Sequence, residues 1–109
     1  MIILNKFDEF GHGMGFPSMR EYFQSKKYEN QDKITAYLRT GNPVMVQTAY
    51  ARDVFTGALL GYEKIFVNDG VYAWSNDLAY YVEKYNLKLP DDFMEYVLNK
   101  QKNEKHFAN

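Results

Sequence analysis

Apolar residues recur at helical spacing in four stretches of the chain. The clearest is 78–85, whose apolar positions fall at i, i+3, i+4 and i+7 and define one helix face, formed by Leu78, Tyr81, Val82 and Tyr85. Residues typical of helix ends flank the four stretches: Ser18 with Glu21, Asn30 with Gly41, Ser75 or Asn76 with Asn86, and Pro90. The pattern predicts helices over 18–26, 30–41, 76–86 and 90–100.

A period of two replaces the helical spacing in the middle of the chain. Residues 44–50 alternate between two faces and are rich in β-branched side chains, which predicts a strand. Further strands are predicted over 58–67, where Gly61 indicates a bulge, and over 71–74. Asn68, Asp69 and Gly70 between them are the strongest hairpin signal, because a primed turn needs positive φ. A short strand is also predicted within residues 1–7.

These elements predict an α+β fold. We expect an antiparallel sheet of three or four strands, arranged as a meander, with about four helices mostly on one face. The N-terminal strand is the candidate for the fourth strand, at one edge. Residues 1–100 are predicted to form a single domain, because a chain of 109 residues can bury one core. The polar residues 101–109 are predicted to fray.

Charge and composition narrow the classes of function. Thirteen basic and fourteen acidic residues give a net charge of −1, so we expect no nucleic-acid binding. The chain has no Cys, which excludes disulfides, thiolate metal sites and a Cys nucleophile. The N-terminus does not resemble a signal peptide, and no stretch approaches the roughly 20 apolar residues of a membrane span. We therefore expect a cytoplasmic protein that has no membrane partner.

Aromatic residues are unusually frequent. They make up 17% of the chain, with ten Tyr, eight Phe and one Trp. A small core is not expected to hold nineteen rings, so several are expected at the surface, where aromatic residues favour recognition of partners. The alternative is a core that uses Tyr with its hydroxyl in water.

One glycine-rich loop invites a ligand-binding interpretation. Gly11, Gly13 and Gly15 precede a capped helix, and such a loop lets backbone amides approach an anion. The spacing matches no known phosphate-binding motif, and a flexible loop is the competing interpretation. His12 lies in this loop and His106 in the predicted tail, so neither suggests a metal site or a catalytic relay. The sequence predicts no enzyme, no cofactor and no metal.

The loop over 52–57 is the better candidate for contact with a partner. It follows a strongly predicted strand, and binding residues concentrate on loops held by a rigid scaffold. Arg52 is predicted to bind an anionic group, Asp53 to pair with it and Phe55 to anchor a partner, with Tyr80 as a nearby exposed ring. The alternative is a turn in which Asp53 bonds its own backbone and Phe55 packs inward. Tyr50 is a further candidate for an interface.

The stretch 69–90 resembles small uncharacterised bacterial proteins that share its arrangement of Trp, Tyr and Pro. It reads D-G-V-Y-A-W-S-N-D-L-A-Y-Y-V-E-K-Y-N-L-K-L-P. Upstream, Y-E-N-Q-D-K-I-T-A-Y-L and D-V-F-T-G extend the resemblance over residues 28–98. The resemblance implies no activity, ligand or catalytic residue.

The function that we expect is non-enzymatic binding of a partner protein, as in a bacterial immunity or inhibitor protein. Arg52, Asp53, Phe55 and Tyr80 are the predicted contact residues. An alternative is a binding protein for a small anionic molecule, or a small enzyme, built on the glycine loop between Gly11 and Gly15. A third is a homodimer whose exposed Tyr residues bury one another.

Overall fold

The computed structural model describes residues 1–107, without the side chains of residues 47, 48 and 102–107. Within that part the chain forms four strands, three α-helices and two short 3-10 helices, at Asp8–Phe10 and Met19–Tyr22. In chain order the main elements are β1 (Ile2–Ile3), α1 (Gln31–Leu38), β2 (Asn42–Arg52), β3 (Leu59–Asn68), β4 (Tyr72–Ser75), α2 (Leu78–Tyr85) and α3 (Asp91–Phe107). Sheet and helices share one core, so the prediction of a single α+β domain is confirmed.

The sheet is mixed rather than antiparallel throughout. Its strand order in the described part of the chain is β1-β4-β3-β2, and β1 runs parallel to β4 while the other pairs are antiparallel. A parallel pair needs a long crossover connection. The chain between β1 and β4 contains α1 and the β2–β3 hairpin, which supply that connection. The predicted antiparallel meander is therefore correct only for β2, β3 and β4.

The first predicted helix is reduced to a single 3-10 turn. Its predicted capping box is present, with Ser18 accepting from the Arg20 amide and Glu21 accepting from the Ser18 amide. The backbone then becomes extended at Phe23, which forms a β-bridge with Leu87. This long-range pairing takes the backbone groups that a longer helix needs. The described part of the chain thus has three α-helices instead of about four.

The last helix is longer than its sequence pattern. Helix α3 continues to Phe107, past Lys100, where the helical spacing of apolar residues ends. The predicted fraying of residues 101–109 falls in part on 108 and 109, which lie outside the described residues.

The core is centred on β4, whose four residues are all buried. Trp74 is fully buried and donates its indole N–H to the Leu38 carbonyl over 2.8 Å, which ties β4 to the end of α1. Tyr72 packs edge-on against Phe93 of α3, with 4.9 Å between ring centroids. Other fully buried side chains come from all three helices and from the loops: Met19, Ile34, Leu78, Tyr81, Val82, Leu87 and Val97.

The β2–β3 hairpin departs from regular pairing. Three register shifts interrupt it, between Pro43 and Met45, between Val46 and Tyr50, and between Tyr50 and Arg52. Gly61 has a φ of 90° on the opposite strand, in agreement with the bulge that the sequence predicts there. Bulges of this kind bend a strand and increase its local twist.

Candidate protein-binding surface

Asp53 lies at the tip of the hairpin and is the best-bonded carboxylate of the site. One oxygen accepts from the backbone amides of Phe55 and Thr56, over 2.7 and 3.1 Å. The other accepts from the hydroxyls of Tyr80, over 2.6 Å, and of Tyr85. Asp53 is 0% exposed, so it offers no surface to a partner. Its role is to fix the hairpin tip to α2.

The pKa shifts agree with a charged carboxylate facing neutral phenols. Burial acts to raise the pKa of Asp53, but the hydrogen bonds from Tyr80, Tyr85 and the two amides outweigh it and lower the pKa below its ordinary value. Burial and the bond to Asp53 raise the pKa of both Tyr80 and Tyr85. The cluster therefore keeps its hydrogen bonds throughout the neutral range.

The other predicted contact residues are brought together around Asp53, but most of them face inward. Phe55 is half-buried, and its ring centroid lies 5.4 Å from those of Phe23 and Tyr85. Tyr80 is half-buried instead of fully exposed. Arg52 is exposed and donates to the Gly57 carbonyl over 3.2 Å. Among the four residues, Arg52 alone presents a mainly exposed side chain to a partner.

A group of exposed apolar side chains lies further along the same hairpin, while others, such as Ile2 and Val71, lie elsewhere on the described part of the chain. Val44, Met45, Val46, Tyr50 and Leu59 are 55%, 60%, 57%, 64% and 62% exposed, and Tyr62 is 37% exposed. We call these six residues the hairpin surface. Met45 and Val46 are consecutive and pair regularly with Phe66 and Ile65, so they point to opposite faces of β2. Both faces of the strand are thus open, and β2 is also an edge strand of the sheet.

The exposed part of the hairpin is held at both ends. At the tip, the Tyr81 hydroxyl accepts from the Val54 amide over 3.0 Å and donates to the Arg52 carbonyl over 2.9 Å. At the base, Val67 of β3 pairs with Trp74 of β4 in the core. The apolar side chains therefore project from a hairpin that is held at its tip and at its base; we call this held hairpin the arch. Such support favours recognition, because the hairpin backbone loses little conformational entropy on binding.

A groove runs beneath this arch, between the first half of β3 and the helices. Its volume is about 670 Å³. Buried residues that form its floor include Leu38, Val67 and Ala79. The walls carry Leu59, Leu60, Tyr62 and Tyr80, and the charged lining residues are Arg39 and Lys84. We call this feature the hairpin groove.

The glycine loop has its neighbouring helix terminus occupied by the protein itself. Glu9 accepts from the Met19 amide over 2.7 Å and from the Ser18 hydroxyl over 2.5 Å. Burial acts to raise the pKa of Glu9, but these bonds lower it overall. His12 is exposed, and its Nδ1 atom lies 3.1 Å from Oδ2 of Asp8. Of the donors that an anionic ligand was expected to use, the Met19 amide at the helix terminus is thus already bound to Glu9.

Sequence reasoning identified Tyr50 as a candidate for an interface but missed the other five residues of the hairpin surface, for a physical reason. The alternation over 44–50 identifies a strand, but apolar residues occur on both of its faces. The same pattern is typical of a strand that is buried on both faces, so the sequence does not distinguish the two cases. Only the strand order, which leaves β2 at the edge, reveals its exposure.

A membrane-spanning element is not found among the helices of the described residues, none of which is long and apolar enough. No protein-family model, curated protein or solved structure matches this chain.

Proposed function

We propose that the protein is a non-enzymatic binding module that covers part of a partner protein, in the manner of an immunity or inhibitor protein. The single observation that carries the proposal is the hairpin surface. Its six large apolar side chains are between 37% and 64% exposed, on a hairpin that is held at both ends. Single exposed apolar residues are common on protein surfaces, but a group of them on one hairpin, four of them on the edge strand β2, indicates an interaction site.

The energetics support contact with a protein. A large apolar side chain contributes roughly 1.5–3 kcal/mol when it passes from full exposure to full burial. Six partly exposed side chains therefore offer several kcal/mol against the cost of association. Tyr50 and Tyr62 add rigid rings of the kind enriched at the centres of interfaces. The contact residues of the proposal are these six, with Arg52 at their border.

The remaining predicted contact residues take a supporting role in this proposal. Asp53, Phe55 and Tyr80 hold the hairpin tip against α2, so their replacement is expected to weaken binding by loosening the arch. The proposal includes a cytoplasmic location, which the absence of Cys supports, and no role for nucleic acid. The partner is either a different protein or a second copy of this chain.

Site-specific photo-crosslinking tests the proposal. A photoreactive phenylalanine analogue replaces Tyr50 or Leu59 in the full chain, which is expressed in its native cells. We expect a discrete crosslinked species from both positions. Matched replacements at Lys33 on α1 and Glu95 on α3, both exposed, should give no such species. Equal crosslinking at all four positions, or none at any of them, would contradict the proposal.

Sedimentation of the purified protein at several concentrations identifies which kind of partner is involved. A dimer that Tyr50→Asp and Leu59→Asp convert to a monomer indicates a second copy of the chain. A monomer at every concentration, together with the crosslinked species, indicates a different protein.

A further inference from the structure

We infer that the hairpin groove binds an apolar segment of the partner that carries a carboxylate side chain. The inference rests on the proposed function and deepens it, because it names the chemistry of the partner at one place on the arch. It depends on the shape and the charge of the groove.

The shape of the groove suits a set of apolar side chains. Its volume of about 670 Å³ lies within the range of roughly 300–1,000 Å³ that is typical of ligand sites. Buried apolar residues such as Val67 and Ala79 line the groove, and Leu59 and Tyr62 are partly exposed along one wall. The polar residues Thr40 and Asn76 also belong to the lining. A segment laid in the groove thus buries apolar surface that is otherwise in water, which favours binding.

The charge of the groove selects a negative group. Arg39 and Lys84 line it, and no Asp or Glu is among its lining residues. Arg39 is paired with Glu83 over 2.6 Å, but both side chains are more than half exposed. An exposed pair of this kind contributes only about 0–1 kcal/mol, so a carboxylate of the partner can compete for Arg39.

Lys84 supplies the second positive charge from the helical wall. It is exposed, and its ammonium nitrogen lies 5.8 Å from the centre of the Tyr80 ring. The face of an aromatic ring attracts a cation. This attraction keeps the ammonium group of Lys84 near Tyr80 and the apolar wall of the groove. A carboxylate bound there meets a positive charge while its neighbouring side chains meet Tyr80.

A second groove, at the opposite edge of the sheet, shows no comparable preference for a negatively charged occupant. It lies between β1 and the start of α3, with a volume of about 620 Å³. Its charged lining residues are of both signs, Lys6 and Lys88 with Asp91 and Asp92. The hairpin groove is therefore the one whose charge specifies the occupant.

The experiment uses a phage-displayed library of short random peptides, selected against the full-length protein. We expect the enriched peptides to combine Asp or Glu with Leu, Ile, Phe or Trp. Representative synthetic peptides are then measured by fluorescence anisotropy with the wild type and with four variants. Lys84→Glu and Leu59→Asp alter the groove, while Lys33→Glu and Val71→Asp make the same changes at exposed positions outside its lining.

We expect Lys84→Glu and Leu59→Asp to weaken peptide binding by about five- to tenfold, because each places a negative charge beside the bound carboxylate. The two control variants should bind within about twofold of the wild type, and added salt should weaken wild-type binding. All four positions are exposed, so circular dichroism should show folded protein in each case.

Failure to enrich any peptide, enrichment of peptides without carboxylates, or equal binding by groove and control variants would overturn the inference. If the photo-crosslinks at Tyr50 and Leu59 still form, the proposed function stands and only the chemistry assigned to the groove fails. If selective peptide binding occurs without those crosslinks, the groove is a binding site and the proposed function fails.

Discussion

Asp53 has a counterpart in Asp69, and together they explain much of the tyrosine content. Asp69 accepts from the amides of Val71 and Tyr72 over 2.9 and 2.7 Å, and from the hydroxyls of Tyr37 and Tyr96. Each aspartate thus sits in a turn, accepts two amides of that turn and accepts two tyrosine hydroxyls from helices. Tyrosine serves here as an internal hydrogen-bond donor, and four of the ten Tyr are used in this way.

Replacing Asp53 by Asn should destabilise the protein by about 1–3 kcal/mol. The amide group keeps the shape but presents a donor where a hydroxyl also donates, and it removes the charge from hydrogen bonds that a carboxylate strengthens. The free energy of unfolding, measured by urea denaturation, tests this. The control is Asp32→Asn on α1, where the side chain is 82% exposed and the expected change is about 0.5 kcal/mol or less. Equal effects of the two replacements would contradict the structural role of Asp53.

Part of this cluster is readable from the sequence and part is not. A turn in which Asp53 bonds its own backbone is one of the two interpretations that the sequence allows, and the amides of Phe55 and Thr56 do donate to it. The two hydroxyl donors come from Tyr80 and Tyr85, which are 27 and 32 residues away. No local pattern relates these positions, so the burial of Asp53 was not predictable. That Arg52, Asp53, Phe55 and Tyr80 take part in binding stays a prediction.

The link from α1 to β2 depends on a single glycine. Gly41 has a φ of 106°, and a Cβ atom there would lie 3.3 Å from the Asn68 carbonyl oxygen and from side-chain atoms of Val67 and Trp74. Both the backbone conformation and the close approach therefore require glycine. The end of α1 is brought against β3 and β4 at this point, which sets the direction in which β2 leaves the core.

Gly41→Ala should cost about 2–4 kcal/mol, from left-handed strain together with the contact against the Asn68 backbone. Gly57→Ala is the matched control, since Gly57 also has positive φ, 77°, but nothing lies within 4 Å of the added Cβ. The control should cost only about 1–2 kcal/mol. Thermal unfolding of both variants measures the difference. A Gly41 variant as stable as the Gly57 variant would show that the close approach at Gly41 relaxes without cost.

Elements that depend on local signals were predicted well. Helix α2 runs over Leu78–Tyr85, as its apolar spacing indicates, and Asn86 adopts the predicted left-handed cap with a φ of 55°. Elements that depend on pairing between distant residues were predicted poorly. The parallel placement of β1 beside β4, and the loss of helix after Tyr22, both follow from contacts between residues far apart in the chain.

The two aspartate clusters tie the helices to the turns at the two ends of β3. Asp53 binds α2 through Tyr80 and Tyr85, while Asp69 binds α1 through Tyr37 and α3 through Tyr96. Every α-helix of the described chain is therefore hydrogen-bonded to a turn of the sheet by a buried or half-buried carboxylate. The stability of the whole domain becomes coupled to the ionisation of two side chains.

Acid should weaken the domain through these carboxylates. For each, burial acts to raise the pKa, but hydrogen bonds from the tyrosines and the turn amides lower it overall. An Asp in the unfolded chain has a pKa of about 3.9, so the folded protein binds these two protons less readily than the unfolded chain. Their stabilisation is therefore complete above about pH 5 and is lost as the pH falls through the lowered folded values.

Urea denaturation between about pH 7 and pH 2 should show this fall in unfolding free energy. Asp69→Asn should be less stable than the wild type at neutral pH and should lose less stability on acidification, because the group no longer titrates. Asp32→Asn, at an exposed position, should keep the wild-type profile. A wild-type profile for Asp69→Asn would show that its carboxylate does not contribute to acid sensitivity.

Trp74 gives the molecule an optical property of its own. It is the sole Trp of the chain, it is fully buried, and the rings of Tyr37 and Phe93 lie 5.9 and 6.3 Å from it. An indole in such dry surroundings emits at short wavelength, and its emission moves to longer wavelength when water reaches it. Because α1, α3 and β4 meet at this ring, the emission of Trp74 reports whether the core is packed, and no added fluorescent label is needed.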